Sequence, residues 1–134
     1  MSRSLIQTVN QSSQTVAANS IIDLGSVIRR FGCNLRLNGN AIEVDGAGYY
    51  TIDCNVTIAP TAAGNVTVAI FKNGVQLTGA TATGSVSTAG NLITLPVQTT
   101  IRESCPCDGG TALTLVLIAG PGTVSNVAMR VEKA

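Results

Sequence analysis

Four cysteines give this chain its widest chemical range: Cys33, Cys54, Cys105 and Cys107. Four thiolates could hold zinc in a tetrahedron, form one or two disulfides, or stay reduced. Cys105 and Cys107 stand one residue apart around Pro106, in the stretch TTIRESCPCDGG at 99–110. Zinc knuckles space such a pair by two residues, so Cys-Pro-Cys argues against that site. A redox pair would want the same wider spacing, a helix N-terminus and a neighbouring base. Cys33 and Cys54 fall on the apolar faces of their segments, where a thiol behaves as a small hydrophobe. Ordinary thiols, a staple among the four, or a clasp between copies of the chain all stay open, because four cysteines allow three pairings.

The acidic residues Asp45, Asp53, Glu103 and Asp108 are the next candidates. Paired carboxylates can hydrolyse glycosides or bind calcium. Asp45 in EVDGAG and Asp108 in CDGG sit in turn-like contexts, where an aspartate caps its own turn. Turn capping is therefore the expectation for both. Arg29, Arg30 and Arg36 form a basic group that could meet an acidic partner or a host surface. The plainer reading pairs them with Asp23, Glu43 or Glu103.

There is no histidine, which removes the usual general base and the commonest metal ligand. Trp is absent and only two Phe and two Tyr remain, so base stacking has few platforms. No P-loop, GxGxxG or nucleophile elbow occurs. The chain is expected to be no enzyme, to need no cofactor or metal, and to bind no nucleic acid.

These residues must be placed by a fold, and the composition bounds it. At 134 residues the chain suits one domain. Its 45% hydrophobic content can build a core without metal or disulfides. Charged residues are only 11%, with a net charge of +1, so there is little field to draw a polyanion or an anionic membrane. No apolar run follows Arg3, so the N-terminus does not read as a secretory signal. No segment reaches the length of a membrane span. ALTLVLIAG at 112–120, the most apolar window, fits a buried strand.

Nearly every segment alternates with a period of two. In YYTIDCNVTI, 49–58, Tyr50, Ile52, Cys54, Val56 and Ile58 share one face. Val66, Val68 and Ile70 share the next. Asn73-Gly74 reads as a type I′ hairpin turn, and Asn38-Gly39 repeats the device. The stretch 78–91, punctuated by Gly79, Gly84 and Gly90, reads as a thin strand with loops or a sheet edge. Pro96 points to an edge, end or bulge. Residues 113–118 are apolar on both faces, as a strand inside the molecule or under an interface would be. Val127, Met129 and Val131 point inward near the end. Residues 16–30 have mixed periodicity that favours extended structure. Residues 1–18 are more polar and read as an N-terminal arm before a domain at 19–134, with Leu5, Ile6 and Val9 placed to dock on a neighbour. The expected architecture is all-β, with two stacked antiparallel sheets.

The segment from Gly46 to Ala80 resembles the C1q/TNF-like jelly-roll domains, especially their bacterial and phage forms. Gly48 and Tyr50 match the G-x-Y that opens a central strand. Val66, Val68, Ile70, Asn73, Gly74 and Gly79 match the hairpin that follows. Gly109 with the strand from Ala112 to Leu117 is similar to the late G-x-L-x-L element, and VSNVAMRVEKA occupies the place of the last core strand. The resemblance spans about residues 20 to 134. It implies a jelly-roll sandwich that assembles as a homotrimer. No Gly-X-Y stalk is present, and aromatic content is low. The expected role is a structural virion protein, a phage head decoration or fibre-like subunit. It would be made in the bacterial cytoplasm and attached to capsid proteins through the arm. The other reading is a bacterial or spore-surface adhesion module that binds a glycan or protein; Arg29, Arg30 and Arg36 are candidate contacts to a neighbouring subunit or a host surface.

Overall fold

The alternation in YYTIDCNVTI becomes the centre of a long strand in a computed structural model of the protein. The structure describes residues 4–32, 34–103 and 111–133. Among them every regular element is a strand. In chain order these are β1 (Leu5–Asn10), β2 (Gln14–Val16), β3 (Ser20–Ile21), β4 (Ser26–Phe31), β5 (Leu35–Asn38) and β6 (Ala41–Val44). They continue as β7 (Gly48–Pro60), β8 (Gly64–Lys72), β9 (Val75–Val86), β10 (Ile93–Glu103), β11 (Thr111–Ala119) and β12 (Gly122–Lys133). Sheet I runs β10-β7-β12-β1-β4, with β2 also on β12. Sheet II runs β5-β6-β11-β8-β9, with β3 also on β11. The two sheets form the expected antiparallel jelly-roll sandwich.

The core is the layer between them. Tyr50, Ile52, Cys54, Val56 and Ile58 of β7 and Val127, Met129 and Val131 of β12 are buried on the sheet I side. Val66, Val68 and Ile70 of β8 and Leu113, Leu115 and Leu117 of β11 are buried on the sheet II side. Each such aliphatic side chain contributes about 1.5–3 kcal/mol relative to exposure. The second apolar face of β11 has a lateral cause. Val116 stands between Ala69 of β8 and Ile21 of β3, and these neighbours cover it.

Register follows the apolar pattern. Lys72 pairs with Val75 around Asn73 and Gly74, both at positive φ, so this turn has the expected type I′ form. The other hairpin differs by one residue. Its loop is Gly39-Asn40, because Asn38 pairs with Ala41. An Asn38-Gly39 loop would set Leu37 opposite Asn40. The observed register instead sets Leu37 against Ile42 and Leu35 against Val44, and it keeps both pairs on the buried face.

The N-terminal segment is not an arm over its described part. From Leu5 onward β1 is hydrogen-bonded between β12 and β4, with Ile6 paired to Val131 and fully buried. Val16 of β2 is buried against the same strand, β12. The polar residues of this segment misled the reading because β1 is one-faced: Leu5, Gln7 and Val9 lie on the outer face. Ser4 and Thr8 are buried, and among the described residues their hydroxyls find no hydrogen-bond partner.

Two substitutions separate these roles. Ile6→Ala should lower unfolding stability by about 3 kcal/mol, the cost of a buried cavity. Thr8→Val removes an unsatisfied buried hydroxyl at nearly constant shape and should raise stability by about 1 kcal/mol. Denaturant melts of the two variants check both signs. An Ile6→Ala protein as stable as the parent would restore the arm.

Candidate assembly faces

A sandwich of two open sheets has four free edges, and here they fall into two walls. On one side β9, the edge of sheet II, packs beside β10, the edge of sheet I. On the other side β4 and β5 are the edges, bridged where the Arg30 Nε donates to the Leu35 carbonyl at 2.7 Å. Native edge strands usually carry charge, which blocks unwanted pairing.

The β9/β10 wall has none until Arg102, near the end of β10. Between Lys72 and Arg102 the sequence contains no Asp, Glu, Lys or Arg. The whole of β9, the turn after it and β10 up to Ile101 are therefore neutral. The exposed side chains are Thr, Ser, Gln, Asn, Ala and Pro, with Val75 at 69% and Leu92 at 67% exposure. Pro96 sits on β10 opposite Asn55, at the sheet edge where its missing N–H costs no ladder bond. Gly84 lets β9 close on β10, since a Cβ there would lie 2.4 Å from the Ile93 Cδ1. Of the two readings of 78–91, a thin strand with loops or a sheet edge, β9 takes the edge, and its pairing with β10 into a wall is not signalled by periodicity. The charge gap was the signal that could have found it.

The outer face of sheet I adjoins this wall. The pairing builds it in rows across the sheet. One row runs Thr100, Thr51, Glu132, Leu5 and Phe31. The next runs Gln98, Asp53, Arg130, Gln7 and Arg29. Asp53 and Arg130 form an ion pair at 2.5 Å, both partly exposed, and this bond raises the arginine pKa. Thr57 and Thr94 share a hydroxyl hydrogen bond across β7 and β10. Two open hollows flank Asp53. One of about 180 Å³ is lined by Gln7, Asn55, Ala128 and Arg130, and one of about 390 Å³ by Thr51, Gln98 and Thr100. Both are shallow dimples of mixed polar and apolar lining, suited to protruding side chains.

The remaining sequence candidates are dispersed. Asp45 and Glu43 both pair with Arg36, at 3.3 and 2.6 Å. Hydrogen bonds from Asn38 and then Arg36 hold the Glu43 carboxyl below its ordinary range. Asp45 is thus an ion-pair partner rather than a turn cap. Arg36 takes the pairing that the plainer reading allowed. Arg29 has no ion pair among the described residues. Glu103 is buried at the start of the 104–110 segment and accepts a hydrogen bond from Thr111, a role the sequence did not signal. Ile6 lies in the core and is unavailable to a partner, while Leu5 and Val9 lie half-buried on the outer face. Among the described residues no three His, Cys, Asp or Glu groups converge as metal donors, and no helix is long and apolar enough to cross a membrane.

Cys33, Cys105, Cys107 and Asp108 lie outside the described residues. Cys54 is a free thiol, 2% exposed, against Met129 on the neighbouring strand. That burial takes it out of reach of a clasp to another chain.

No family model and no curated protein matches this sequence. Solved structures do. Murine APRIL at pH 5.0 superposes with a TM-score of 0.77 at 11% identity, covering 99% of this chain and 100% of that one. The globular domain of zebrafish complement 1qA superposes at 0.71 and 8% identity, covering 94% of each chain. PRD1 vertex protein P5 superposes at 0.59 and 14% identity, covering 97% and 96%. At these identities the likeness carries the fold, which is the C1q/TNF-like jelly roll.

Burial pushes the Cys54 thiol up from 9.0 to about 12. The folded state therefore keeps its proton through a range where the unfolded thiol loses it. Stability from this group is full below pH 9 and falls as pH rises toward 12. Denaturant midpoints at pH 8 and pH 10 should drop more for the parent than for Cys54→Ala. Equal drops would mean that the thiol is solvated. Thiol reagents should label Cys54 only on unfolding.

Proposed function

We propose that the chain is a non-catalytic structural subunit of a phage virion, a head-decoration or fibre-like protein that works as a homotrimer. The observation that carries the assembly is the neutral β9/β10 wall. An unprotected, uncharged edge of this length invites pairing and aggregation if left in water. A second copy resolves that liability by covering it.

The outer face of sheet I is the surface that fits. Its central Asp53–Arg130 ion pair is internally satisfied, the further charges Glu132 and Arg29 are of opposite sign, and its hollows can take the threonine and leucine side chains of the wall. Wall and face are different patches of one protomer, so the contact is heterologous. Heterologous contacts close into rings when the rotation allows. A threefold ring agrees with the trimer implied by the sequence resemblance. The virion setting is supported by a vertex protein with the same fold over nearly the whole chain. A rigid, weakly charged sandwich offers shape and buried area rather than chemistry, which suits a particle component.

The mass of the native protein tests the assembly. The parent should weigh about three times the 13.6 kDa chain. Leu92→Glu combined with Ser85→Glu, both exposed, should give a folded species of single-chain mass. A monomeric parent refutes the trimer. A trimeric double variant moves the interface elsewhere. The virion role is checked by mass spectrometry of purified particles, which should contain the chain at stoichiometric levels. Its recovery on cell or spore surfaces instead would replace the virion with the adhesion reading.

A further inference from the structure

The wall opposite the neutral one carries a second feature, an open strand edge that the proposed trimer does not pair. All six residues of β4, Ser-Val-Ile-Arg-Arg-Phe, are exposed. The strand pairs with β1 on one side and with no described strand on the other, so one row of its backbone groups is unpaired. Val27, Ile28 and Phe31 give it three exposed large hydrophobic residues, more than any other strand here. The register shifts between Gln7 and Thr8, which makes Ile28 the extra residue of a bulge, 54% exposed. Beside it lies an open groove of about 480 Å³, lined by Val9, Asn10, Asp23, Gly25 and Ile28. Gly25 shapes its rim at φ +82°, because a Cβ there would lie 2.3 Å from the Val9 carbonyl oxygen.

Charge decides what can occupy this edge. Arg29 lies on the outer face with no ion pair among the described residues, and Arg30 spends its Nε on the Leu35 carbonyl. A second copy of β4 laid antiparallel in full overlap would set Arg29 against Ile28 and Arg30 against Val27, so neither cation would meet an opposite charge. Asp23 lies at the groove end of the strand, where its carboxylate accepts from the Gly25 N–H. The pattern along the edge is therefore apolar beside Ile28 and cationic toward Phe31.

We propose that β4 is a docking edge for an extended segment of another protein, added as a further strand to sheet I. That segment places an apolar side chain in the Ile28–Val9 groove and an acidic side chain opposite Arg29. Main-chain bonds to the unpaired edge supply affinity, and the side chains supply the choice of partner. This inference concerns a surface away from the β9/β10 wall and stands whether or not the chain is trimeric.

The test uses the native protein and two synthetic peptides, one alternating valine with glutamate and one alternating valine with lysine. Hydrogen exchange reads amide protection along Ser26–Phe31. The glutamate peptide should protect these amides, and less so in added salt. Arg29→Glu should weaken it about fivefold and should admit the lysine peptide. Protection elsewhere only, no protection by either peptide, or equal protection by both would overturn the proposal. A doubled native mass that Ile28→Lys restores would make a second copy the occupant and overturn it as well.

Discussion

The pairing of the first strand with the last holds this molecule together. β12 lies between β7 and β1, so sheet I stays incomplete until its C-terminal strand is in place. Remove that strand and the sheet splits, with β10 and β7 on one side and β1 and β4 on the other. The buried faces of Ile52, Val56 and Ile6 would then lose Val127, Met129 and Val131 as neighbours. Such long-range closure carries a loop-entropy cost before its contacts form, which makes folding slow relative to a helical bundle. It also explains why a polar N-terminal segment is ordered at all. β1 contributes few apolar side chains, but it caps a strand whose other edge is already committed.

Period-two patterning was enough to place the core. Tyr50, Ile52, Cys54, Val56 and Ile58 are buried together because a strand gives its alternate residues no other choice. Turn chemistry was almost enough: Asn73-Gly74 formed as read, and the Gly39 hairpin slipped by one residue to keep Leu37 opposite Ile42. What sequence patterning could not carry was lateral position. Whether β1 hangs free or sits inside a sheet depends on β12, more than a hundred residues away in the chain. Whether Arg36 faces a partner or Glu43 depends on which strands are neighbours. The same limit applied to Asp45, whose turn-like context suggested a local cap while the neighbouring strand supplied an arginine.

The candidate surfaces were legible in a different currency. Charge is scarce in this chain, so where it falls is informative. Arg29, Arg30, Arg36, Glu43 and Asp45 cluster on the β4/β5/β6 side, while β9 and β10 carry none before Arg102. Hydrophobic periodicity is blind to this asymmetry, because both walls expose residues of the outward-facing set. A count of charge along the chain finds the neutral segment, but only the topology shows that its two strands stand side by side.

That asymmetry gives the two walls different physical duties. A neutral edge loses little on desolvation, since it has no ion to take out of water, so it can be buried against a sheet face whose central charges are already paired. A charged edge resists that burial and finds no opposite charge in its own copy, yet it can attract one elsewhere. The proposed trimer and the proposed docking strand therefore use different edges of the sandwich, both bordering the outer face of sheet I. The first buries the edge where charge is absent, and the second uses the edge where arginine selects the partner. A subunit built this way can close its own ring and still present three identical edges outward, all produced by one unequal distribution of a few charges across a single sandwich.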